Sequence, residues 1–452
     1  MKKINFIVII YILCILSGCS KEWLEKKQDI KLIVPAALND LDMLLNSPSF
    51  LYDGRGASEM SSDDAIYSTE QFNALPRDFL RNLATWQVSE FIQYGTANQD
   101  EWDISYNQIQ ICNVVLAALE KINRTNVNGN LYDRIKGTAL YHRSRQFLNL
   151  AMTFCKYYDQ STAKTDLGIP LKISEDIDEH IFRATLEDTY RKIVFDLKLS
   201  CSLLPIQKAS FTHIAKGGAY AMLARTNLFM DQYEEAKMAA DSSYKYHSFI
   251  EDYNSINSSP SRPLNIQSKE IHIPLEPRIA VTYATTGRID SILYGTYDKD
   301  DIRKNLFFKL ESDGKCSFRG HYRSALFSGT TTPEVLLISA ECNARLGNIA
   351  IAMQKLNLIL EKRFKKGTFV SLQALTKDES LNIILLERRK ELLTRCLRWQ
   401  DLKRLNRDPH YAKTLNRTIG LQNFLLPPND PRYVLPIPQY IINFNGLEQN
   451  RY

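Results

Sequence analysis

The sequence predicts a mainly α-helical protein, in which tetratricopeptide-like helical pairs form a scaffold that carries a loop-rich, partly β insertion. Apolar residues recur at helical spacing over most of residues 80–250 and again over 334–405. Two segments, which begin at Tyr220 and Leu336, share one pattern of small and large side chains. Between them, residues 250–333 are rich in turn-forming residues and hold only short β-prone pieces. These three observations place the chain in the helical-repeat class.

The chain begins with a segment that is typical of secretion. Two lysines precede an uncharged, mostly apolar run over residues 4–16, and small residues then lead to Cys19. A run of about 13 residues is too short to cross a hydrocarbon core of about 30 Å, so we predict a signal peptide over residues 1–18. The position of Cys19 resembles a bacterial lipobox, which makes Cys19 the lipidated first residue and residues 19–34 its tether. An ordinary signal peptide followed by a chance cysteine is the alternative.

The charge of the chain is mild and evenly spread. The formal net charge of +6, from 57 basic and 51 acidic residues, falls to +4 without Lys2 and Lys3. Because nucleic-acid binding usually requires a concentrated basic stripe, we predict no nucleic-acid partner.

The cysteines beyond the signal segment are widely and irregularly spaced, with no C-x-x-C pair. They are Cys112, Cys155, Cys201, Cys316, Cys342 and Cys396. Several lie within helical apolar patterns, so we predict buried thiols that act as small hydrophobic side chains. One or two disulfide bridges remain the alternative.

The helices are predicted in chain order from their apolar spacing. The first begins near Pro35 and places four leucines on one face, and a loop follows over residues 46–78. Long helices follow within 101–122 and 132–158. The next helix begins at Thr185, whose hydroxyl is placed to cap its first turn.

The two related segments carry the spacing of a tetratricopeptide helix pair, with small residues at several large positions. Ala224 and Ala236 are twelve residues apart, as are Ala340 and Ala352, and paired helices approach closely at such positions. Gly347 stands at the expected turn of the second pair. The segments start 116 residues apart, so they do not form a simple tandem array.

The insertion between the two segments is predicted to be irregular. Its sequences IHIPLEP, VTYATTG and SILYGTY read as short strands bounded by Gly and Pro. Long loops that contain aromatic residues are common places for ligand contacts. The region from 406 to 452 is predicted to form a separate C-terminal segment of the same body, which spans residues 35–452.

The most specific pattern lies near the C-terminus. Residues 387–402 resemble the E-R-x-x-E-L-x-x-E-G-x-R-W-x-D-L signature of the SusD/RagB family of Bacteroidetes lipoproteins. Arg395-Cys396 replaces the family's Glu-Gly. The ending, Pro436-Ile437-Pro438 followed by Gln449-Asn450, resembles the family's P-I-P…Q-N-x-x-Y but is one residue shorter.

Two earlier stretches are also similar to the family. The helix W-x3-Y-x2-I-x3-N is matched by Trp102, Tyr106, Ile109 and Asn113. The segment G-E-A-x-F-x-R-A is matched by Gly137, Ala139 and Arg143. The resemblance therefore runs from residue 19 to the C-terminus.

The resemblance implies a fold and a function. The implied fold is a scaffold of tetratricopeptide-like helical pairs that carries a loop-rich ligand region. The implied protein is lipid-anchored on the outer face of the outer membrane. There it covers a SusC-like TonB-dependent transporter like a lid. It captures a nutrient for that transporter, most often an oligo- or polysaccharide. A peptide or other nutrient in the same assembly, or a tetratricopeptide-type adaptor that binds only protein, is the alternative.

The residues of the signature support a structural role when they are considered alone. Leu392, Leu393, Cys396, Trp399 and Leu402 share one helical face, so we predict that Trp399 packs in the core. The spacing of Glu391 from two arginines of the same stretch, Arg388 and Arg395, predicts ion pairs along the helix. A contact from Glu387 to the terminal segment is left open.

The sequence lacks the common catalytic motifs. It contains no H-E-x-x-H, no G-x-S-x-G and no P-loop, and its seven histidines include no pair at i,i+4. We therefore predict no enzyme and no cofactor. A zinc site built from distant residues is left open, as is a calcium or sugar-hydroxyl role for the adjacent acids Asp63-Asp64 and Asp300-Asp301.

Saccharide recognition requires exposed aromatic rings beside polar side chains on loops. Two regions have that composition, residues 52–100 and 276–300. The predicted ligand-binding residues are Asp63, Asp64, Tyr67 and Trp86 in the first region and Tyr283, Arg288 and Tyr294 in the second. Core packing is the alternative for each aromatic residue.

Overall fold

The computed structural model describes residues 37–76, 78–87, 101–277, 287–322 and 326–451. The signal peptide predicted over 1–18, Cys19 with its tether, and residues 281–286 of the predicted strand VTYATTG, which include Tyr283, lie outside the described residues. Among those residues, no helix combines the length and the apolar character that crossing a membrane requires.

Helices form the scaffold, as the sequence predicts. In chain order they are α1 (Leu38–Leu45), α2 (Ala57–Ser61), α3 (Thr69–Asn73), α4 (Asp78–Thr85), α5 (Glu101–Glu120), α6 (Gly129–Phe154), α7 (Leu186–Leu203), α8 (Lys216–Leu228), α9 (Tyr233–Tyr246), α10 (Ser291–Gly295), α11 (Arg303–Phe307), α12 (Thr332–Arg345), α13 (Ile349–Leu360), α14 (Lys377–Glu391), α15 (Arg398–Leu405) and α16 (Gln439–Asn445). From α5 to α9 each helix packs against the next one in the chain. The mainly α fold class is confirmed.

The strands are short, and in the described ranges they pair only two at a time. They are β1 (Tyr52–Asp53), β2 (Ala65–Ile66), β3 (Leu167–Pro170), β4 (Arg183–Thr185), β5 (Glu276–Pro277), β6 (Arg288–Ile289), β7 (Phe308–Leu310), β8 (Cys316–Phe318), β9 (Leu415–Ile419) and β10 (Gln422–Leu426). The pairs are β1–β5, β2–β6, β3–β4, β7–β8 and β9–β10, of which β1–β5 is parallel and the others are antiparallel. Four of these strands, β5 to β8, lie in the predicted insertion.

One predicted strand of the insertion is wrong. The sequence SILYG forms helix α10, because the side chain of Asp290 accepts a hydrogen bond from the Ile292 N–H and so caps the helix start. By contrast, the cap predicted for α7 is confirmed, since Thr185 accepts a hydrogen bond from the Asp188 N–H at 3.0 Å.

The two predicted helical pairs, α8–α9 and α12–α13, have the same turn geometry. Gly347 has a φ of +86°, and Asp231, at the equivalent position 116 residues earlier, has a φ of +56°. Glycine tolerates this left-handed conformation freely and aspartate tolerates it better than most residues do. The alanines predicted at the close contacts of both pairs are completely buried.

The two pairs lie side by side although the insertion separates them in sequence. Helix α9 packs against α12. Asp241 of α9 accepts a hydrogen bond from the Ser339 hydroxyl at 2.9 Å and pairs with the Lys355 ammonium at 3.1 Å. The helical scaffold is therefore continuous on both sides of the insertion. The insertion has an aromatic core of its own, which includes Tyr297, Phe307 and Phe318.

Candidate ligand-binding face

The structure brings together the two regions that the sequence predicts for ligand binding. Tyr52 of β1 pairs with Glu276 of β5, and Ala65 of β2 pairs with Ile289 of β6. Beyond β6, the Asp290 N–H donates to the Asp64 carbonyl at 3.1 Å. We call residues 52–67 together with 276–277 and 287–294 the ligand face. Its two halves are more than 200 residues apart in sequence and are held edge to edge.

Asp63 is held by cations from the C-terminal part of the chain. The Arg398 Nε and Nη2 donate to its two oxygens at 2.6 and 3.0 Å, and the Lys413 Nζ lies at 2.8 Å. Burial would raise the pKa of Asp63, but Arg398, Arg389 and Lys413 hold that pKa well below its ordinary value. Asp63 is therefore an ionised anchor for the signature segment, which we define as residues 387–405.

Asp64 and Glu59 lie deeper than Asp63. The Arg389 Nε donates a hydrogen bond to Asp64 at 2.9 Å. Burial nevertheless raises the pKa of Asp64, and the neighbouring charge of Asp63 raises it further, because Arg389 offsets only part of these two effects. Glu59 is completely buried, and no salt bridge reaches it from the described residues. Burial, together with the Asp64 charge, raises the pKa of Glu59 to about 8, so Glu59 is protonated at neutral pH.

The predicted exposure of Tyr67 and Trp86 is wrong. Their exposed fractions are 6% and 3%, because Tyr67 belongs to the main hydrophobic core and Trp86 to a smaller apolar cluster that includes Trp399. The Arg417 guanidinium of β9 lies 5.6 Å from the Tyr67 ring centroid and 5.2 Å from that of Trp86. The Trp86 indole N–H donates to the Ser61 carbonyl at 2.9 Å, and the Tyr67 hydroxyl donates to the Met60 sulfur. In this conformation both rings support the ligand face from within.

Arg288 and Tyr294 lie nearer the surface of the ligand face. The Arg288 Nε donates to Asp313 at 2.9 Å, which leaves 18% of the arginine side chain exposed. The Tyr294 ring meets Phe308 edge-on with centroids 5.2 Å apart, and the Lys304 ammonium lies 4.9 Å from the Tyr294 centroid. These two side chains are therefore positioned by partners within the insertion.

The other acids that the sequence singled out serve as structural anchors. Asp301 is buried and binds the Arg303 guanidinium at 2.7 Å, while Asp300 pairs with Lys365 at 2.9 Å. Across the described ranges, no group of three or more His, Cys, Asp or Glu side chains is arranged to hold a metal ion. The six cysteines are free, buried thiols, as predicted.

The signature segment is the centre of a buried ionic network. The Glu391 carboxylate accepts hydrogen bonds from Arg363 at 2.8 Å and Arg303 at 3.1 Å, and Glu387 accepts from Arg303 at 2.7 Å and Lys390 at 2.6 Å. The predicted ion pairs of Glu391 along its own helix are thus wrong. Its partners come from helix α11 and from the loop after α13, which helical spacing cannot reveal.

The remaining signature residues also have structural partners. Asp401 accepts hydrogen bonds from Arg388 at 2.9 Å and Arg404 at 2.8 Å. The Trp399 ring is completely buried and stacks on Tyr433 with centroids 4.6 Å apart, so its predicted place in the core is confirmed. The single helix predicted through the signature is wrong, because Thr394 and Cys396 adopt left-handed φ angles of +59° and +57° in the turns between α14 and α15. Cys396 has a φ of +57°, which accounts for the glycine that the family's pattern has at this position.

The other family motifs are structural as well. The Asn113 amide donates to the carbonyls of Lys172 and Ser174, and Arg143 bonds both Asn113 and Asp196. At the C-terminus, the Gln449 side chain exchanges two hydrogen bonds with the backbone of Ile437. The Asn450 amide donates to the carbonyls of Phe154 and Leu435. The motifs therefore specify the scaffold.

Sequence reasoning missed the arginines that organise the ligand face. Arg389, Arg398 and Arg417 come from the C-terminal part of the chain and bind or support residues 60–86. The sequence did contain one indication of this role, which is the number of arginines in and after the signature. A solvent-exposed helix would carry a mixture of positive and negative charges instead.

The chain matches two family models. Residues 22–228 match a SusD-like model described as "Starch-binding associating with outer membrane", and residues 332–452 match the model described as "SusD family". No curated protein sequence matches significantly.

Solved structures show the same fold. A SusD-like carbohydrate binding protein from Bacteroides vulgatus ATCC 8482 is 18% identical, with a TM-score of 0.70 over 91% of this chain and 97% of its own. A SusD superfamily protein from Bacteroides fragilis is 21% identical, with a TM-score of 0.71 over 91% and 99%. Surface glycan-binding protein A from Bacteroides fluxus is 16% identical, with a TM-score of 0.68 over 92% and 99%.

The two family models together cover more than two thirds of the chain, and the solved structures cover nearly all of it. The buried partners of the signature explain why these residues identify the fold. This chain belongs to the SusD/RagB family.

Proposed function

We propose that this chain is a cell-surface lipoprotein that binds a glycan on the ligand face and delivers it to a SusC-like TonB-dependent transporter in the outer membrane. The observation that carries the proposal is the pairing of β1 with β5 and of β2 with β6. This pairing joins the two loop regions whose composition suits a saccharide on one side of a scaffold that the family motifs build.

The chemistry of the ligand face suits a sugar. Hydroxyl groups need charged and amide partners, while the C–H faces of a sugar ring need an aromatic surface. The Arg288–Asp313 pair offers both a donor and an acceptor, and Tyr294 stands in the same half of the face. Tyr283 remains a predicted contact in that half. The likeness to proteins described as carbohydrate- and glycan-binding supports this class of ligand.

The proposed location depends on Cys19. Lipid chains contribute about 0.8 kcal/mol for each buried CH₂ group, so several chains on one cysteine would hold the protein on the membrane durably. The scaffold could then cover the mouth of a transporter while the anchor stays in the bilayer. The family model described as associating with outer membrane supports this placement.

The proposal includes no catalysis. Asp63 and Asp64 of the ligand face are held in internal ion pairs with Arg398 and Arg389, and Glu59 is buried with a raised pKa of about 8. A glycosidase needs two carboxyl groups that flank a bound sugar at about 5–9 Å. Chromatography of a glycan after incubation with the protein should therefore show no shortened product.

The direct test is binding of the full chain, purified in detergent, to amylopectin, inulin, arabinoxylan, laminarin and α-mannan by affinity electrophoresis. We expect retardation by at least one polysaccharide and a loss of about tenfold or more in affinity for Arg288→Ala and Tyr283→Ala. Arg191→Ala is the matched control, since Arg191 is a largely exposed arginine on helix α7. Absence of binding to every polysaccharide, with a transporter still co-purifying, would favour a peptide or another nutrient. Absence of both would leave a protein-binding adaptor.

A further inference from the structure

A groove in the insertion is separate from the ligand face. One cavity of about 410 Å³ lies between residues 249–256 and 263–270, with Tyr322 in its lining. A second cavity of about 420 Å³ adjoins it and shares four lining residues, Phe249, Gln267, Ser268 and Lys269. No residue of the ligand face lines either cavity. We call the two cavities together the insertion groove.

One wall of the insertion groove is fixed to the buried ionic network. The Glu270 carboxylate accepts hydrogen bonds from the Tyr322 hydroxyl at 2.8 Å, the Arg363 Nη2 at 3.2 Å and the Glu251 N–H at 3.1 Å. Glu251 in turn accepts a hydrogen bond from the Ser268 hydroxyl at 2.6 Å. Arg363 continues to Glu391 of the signature segment, so the groove is preorganised by the scaffold.

The second cavity is tied down in a similar way. The Lys208 Nζ donates to the Ile271 carbonyl at 2.6 Å, and the His247 Nε2 lies 2.6 Å from the Lys269 carbonyl. Both contacts hold the backbone of the shared wall. The side chains of Gln267 and Lys269 are left exposed at the rim.

Tyr253 provides the observation that points to a ligand. It lines the first cavity and is 1% exposed, and its hydroxyl has no hydrogen-bond partner among the described residues. Its ring is fixed in place, because the Arg363 guanidinium lies 3.7 Å from the ring centroid. A buried hydroxyl without a partner is costly, and a ligand hydroxyl would satisfy it.

Phe249 supplies an apolar surface at the same place. It lines both cavities, and 44% of it is exposed, so its ring is accessible from the groove. Phe211 lines the second cavity. Aromatic rings beside a tyrosine hydroxyl, a carboxylate and amide groups match the mixed apolar and hydroxylated surface of a sugar. Each cavity lies within the size range of about 300–1,000 Å³ that is typical of small-molecule sites.

We propose that the insertion groove is a second saccharide-binding subsite, which takes a short stretch of sugar residues with one ring against Phe249 and one hydroxyl group on Tyr253. This inference rests on the proposed function, since it assumes that the chain binds glycans. The groove would engage a polysaccharide at a second point along its length, which raises the overall affinity for long chains more than for short ones.

The test compares Phe249→Ala and Tyr253→Phe with the unmodified full chain in detergent, using the same five polysaccharides and affinity electrophoresis. Tyr253→Phe removes only the hydroxyl, and no hydrogen bond to a described residue is lost with it. Phe195→Ala is the matched control, because Phe195 is an exposed phenylalanine on helix α7. Thermal unfolding of each variant by circular dichroism shows whether it is folded.

We expect both groove variants to unfold within a few degrees of the unmodified chain. We also expect affinity for the bound polysaccharide to fall about threefold to tenfold in both, while Phe195→Ala changes nothing. Unchanged affinity in both groove variants, with binding still lost in Arg288→Ala, would overturn the second subsite and leave the proposed function intact. Absence of binding by the unmodified chain to all five polysaccharides would overturn both.

Discussion

The buried network around the signature segment can be tested by a single substitution, Glu391→Gln. The Glu391 side chain is 3% exposed and neutralises two completely buried guanidinium groups, those of Arg363 and Arg303. Glutamine preserves the volume and removes the charge. Removing one partner from a buried ion pair costs about 3–5 kcal/mol when the remaining charge is left without compensation. Here Arg303 keeps Asp301 and Glu387, and Arg363 keeps Glu270, so we expect a smaller fall in the free energy of unfolding, of about 2–3 kcal/mol.

The assay is guanidinium-induced unfolding at pH 7, with Glu234→Gln as the matched control. Glu234 lies on helix α9, is largely exposed and is 4.0 Å from Lys237, so its substitution should change the free energy by less than about 0.5 kcal/mol. Burial acts to raise the pKa of Glu391, but Arg363 and Arg303 more than offset it and hold the pKa below its ordinary value. The stabilisation is therefore present above the unfolded-state pKa and is lost as the pH falls through the folded-state pKa. A loss below about 1 kcal/mol at pH 7 would refute this reasoning.

Substitutions at three further positions test local features. The pKa of Glu59 is about 8 in the folded state and near 4.5 in the unfolded state, so the unmodified chain loses stability as the pH rises from 5 to 8. Glu59→Gln removes this loss, and its free energy of unfolding should therefore gain on the order of 3 kcal/mol relative to the unmodified chain between pH 5 and pH 8 in the same assay. Equal pH dependence of the two proteins would contradict this prediction. Cys396→Gly should change the free energy of unfolding by about 1 kcal/mol or less, because relief of the strain at its left-handed φ offsets the lost packing. Cys396→Val should lower that free energy by about 2 kcal/mol or more. Similar values for the two variants would be inconsistent with the observed φ. Gly347→Ala should lower the melting temperature through a loss of about 1 kcal/mol at the turn between α12 and α13, and an unchanged melting temperature would argue against that turn.

The sequence was sufficient to predict features that depend on local spacing. The pattern of small residues predicted the close contacts of α8–α9 and α12–α13, and Thr185 predicted the start of α7. The buried thiols within helices followed from apolar faces, whereas Trp399 was placed correctly through a helical face that the turns at residues 392–397 interrupt. Each of these inferences needs only the periodicity of a helix or the chemistry of a cap.

Features that depend on distant segments could not be predicted in this way. Tyr67 and Trp86 lie in a polar stretch of sequence, and they are buried in apolar clusters whose other members include residues far away in sequence. Arg417, more than 300 residues later, lies close to both rings. Glu391 pairs with Arg363 and Arg303, which are 28 and 88 residues away. Helical spacing shows only neighbours within one turn, so it indicated the wrong partners.

The two halves of the ligand face illustrate both cases. Their composition was visible in the sequence, and this predicted that residues 52–100 and 276–300 serve one purpose. Their contact through β2 and β6 was not visible, because two-residue strands leave no periodic pattern. The groove beside Phe249 was also missed, since its lining joins segments that are distant in sequence, such as those of Phe211 and Tyr322.

The most direct test of the central claim is a crystal structure of the chain with an oligosaccharide derived from a polysaccharide that it binds. We predict sugar atoms within 4 Å of side chains from both halves of the ligand face. An oligosaccharide that lies only against the helical pairs α8–α9 and α12–α13, with the ligand face empty, would contradict the proposal.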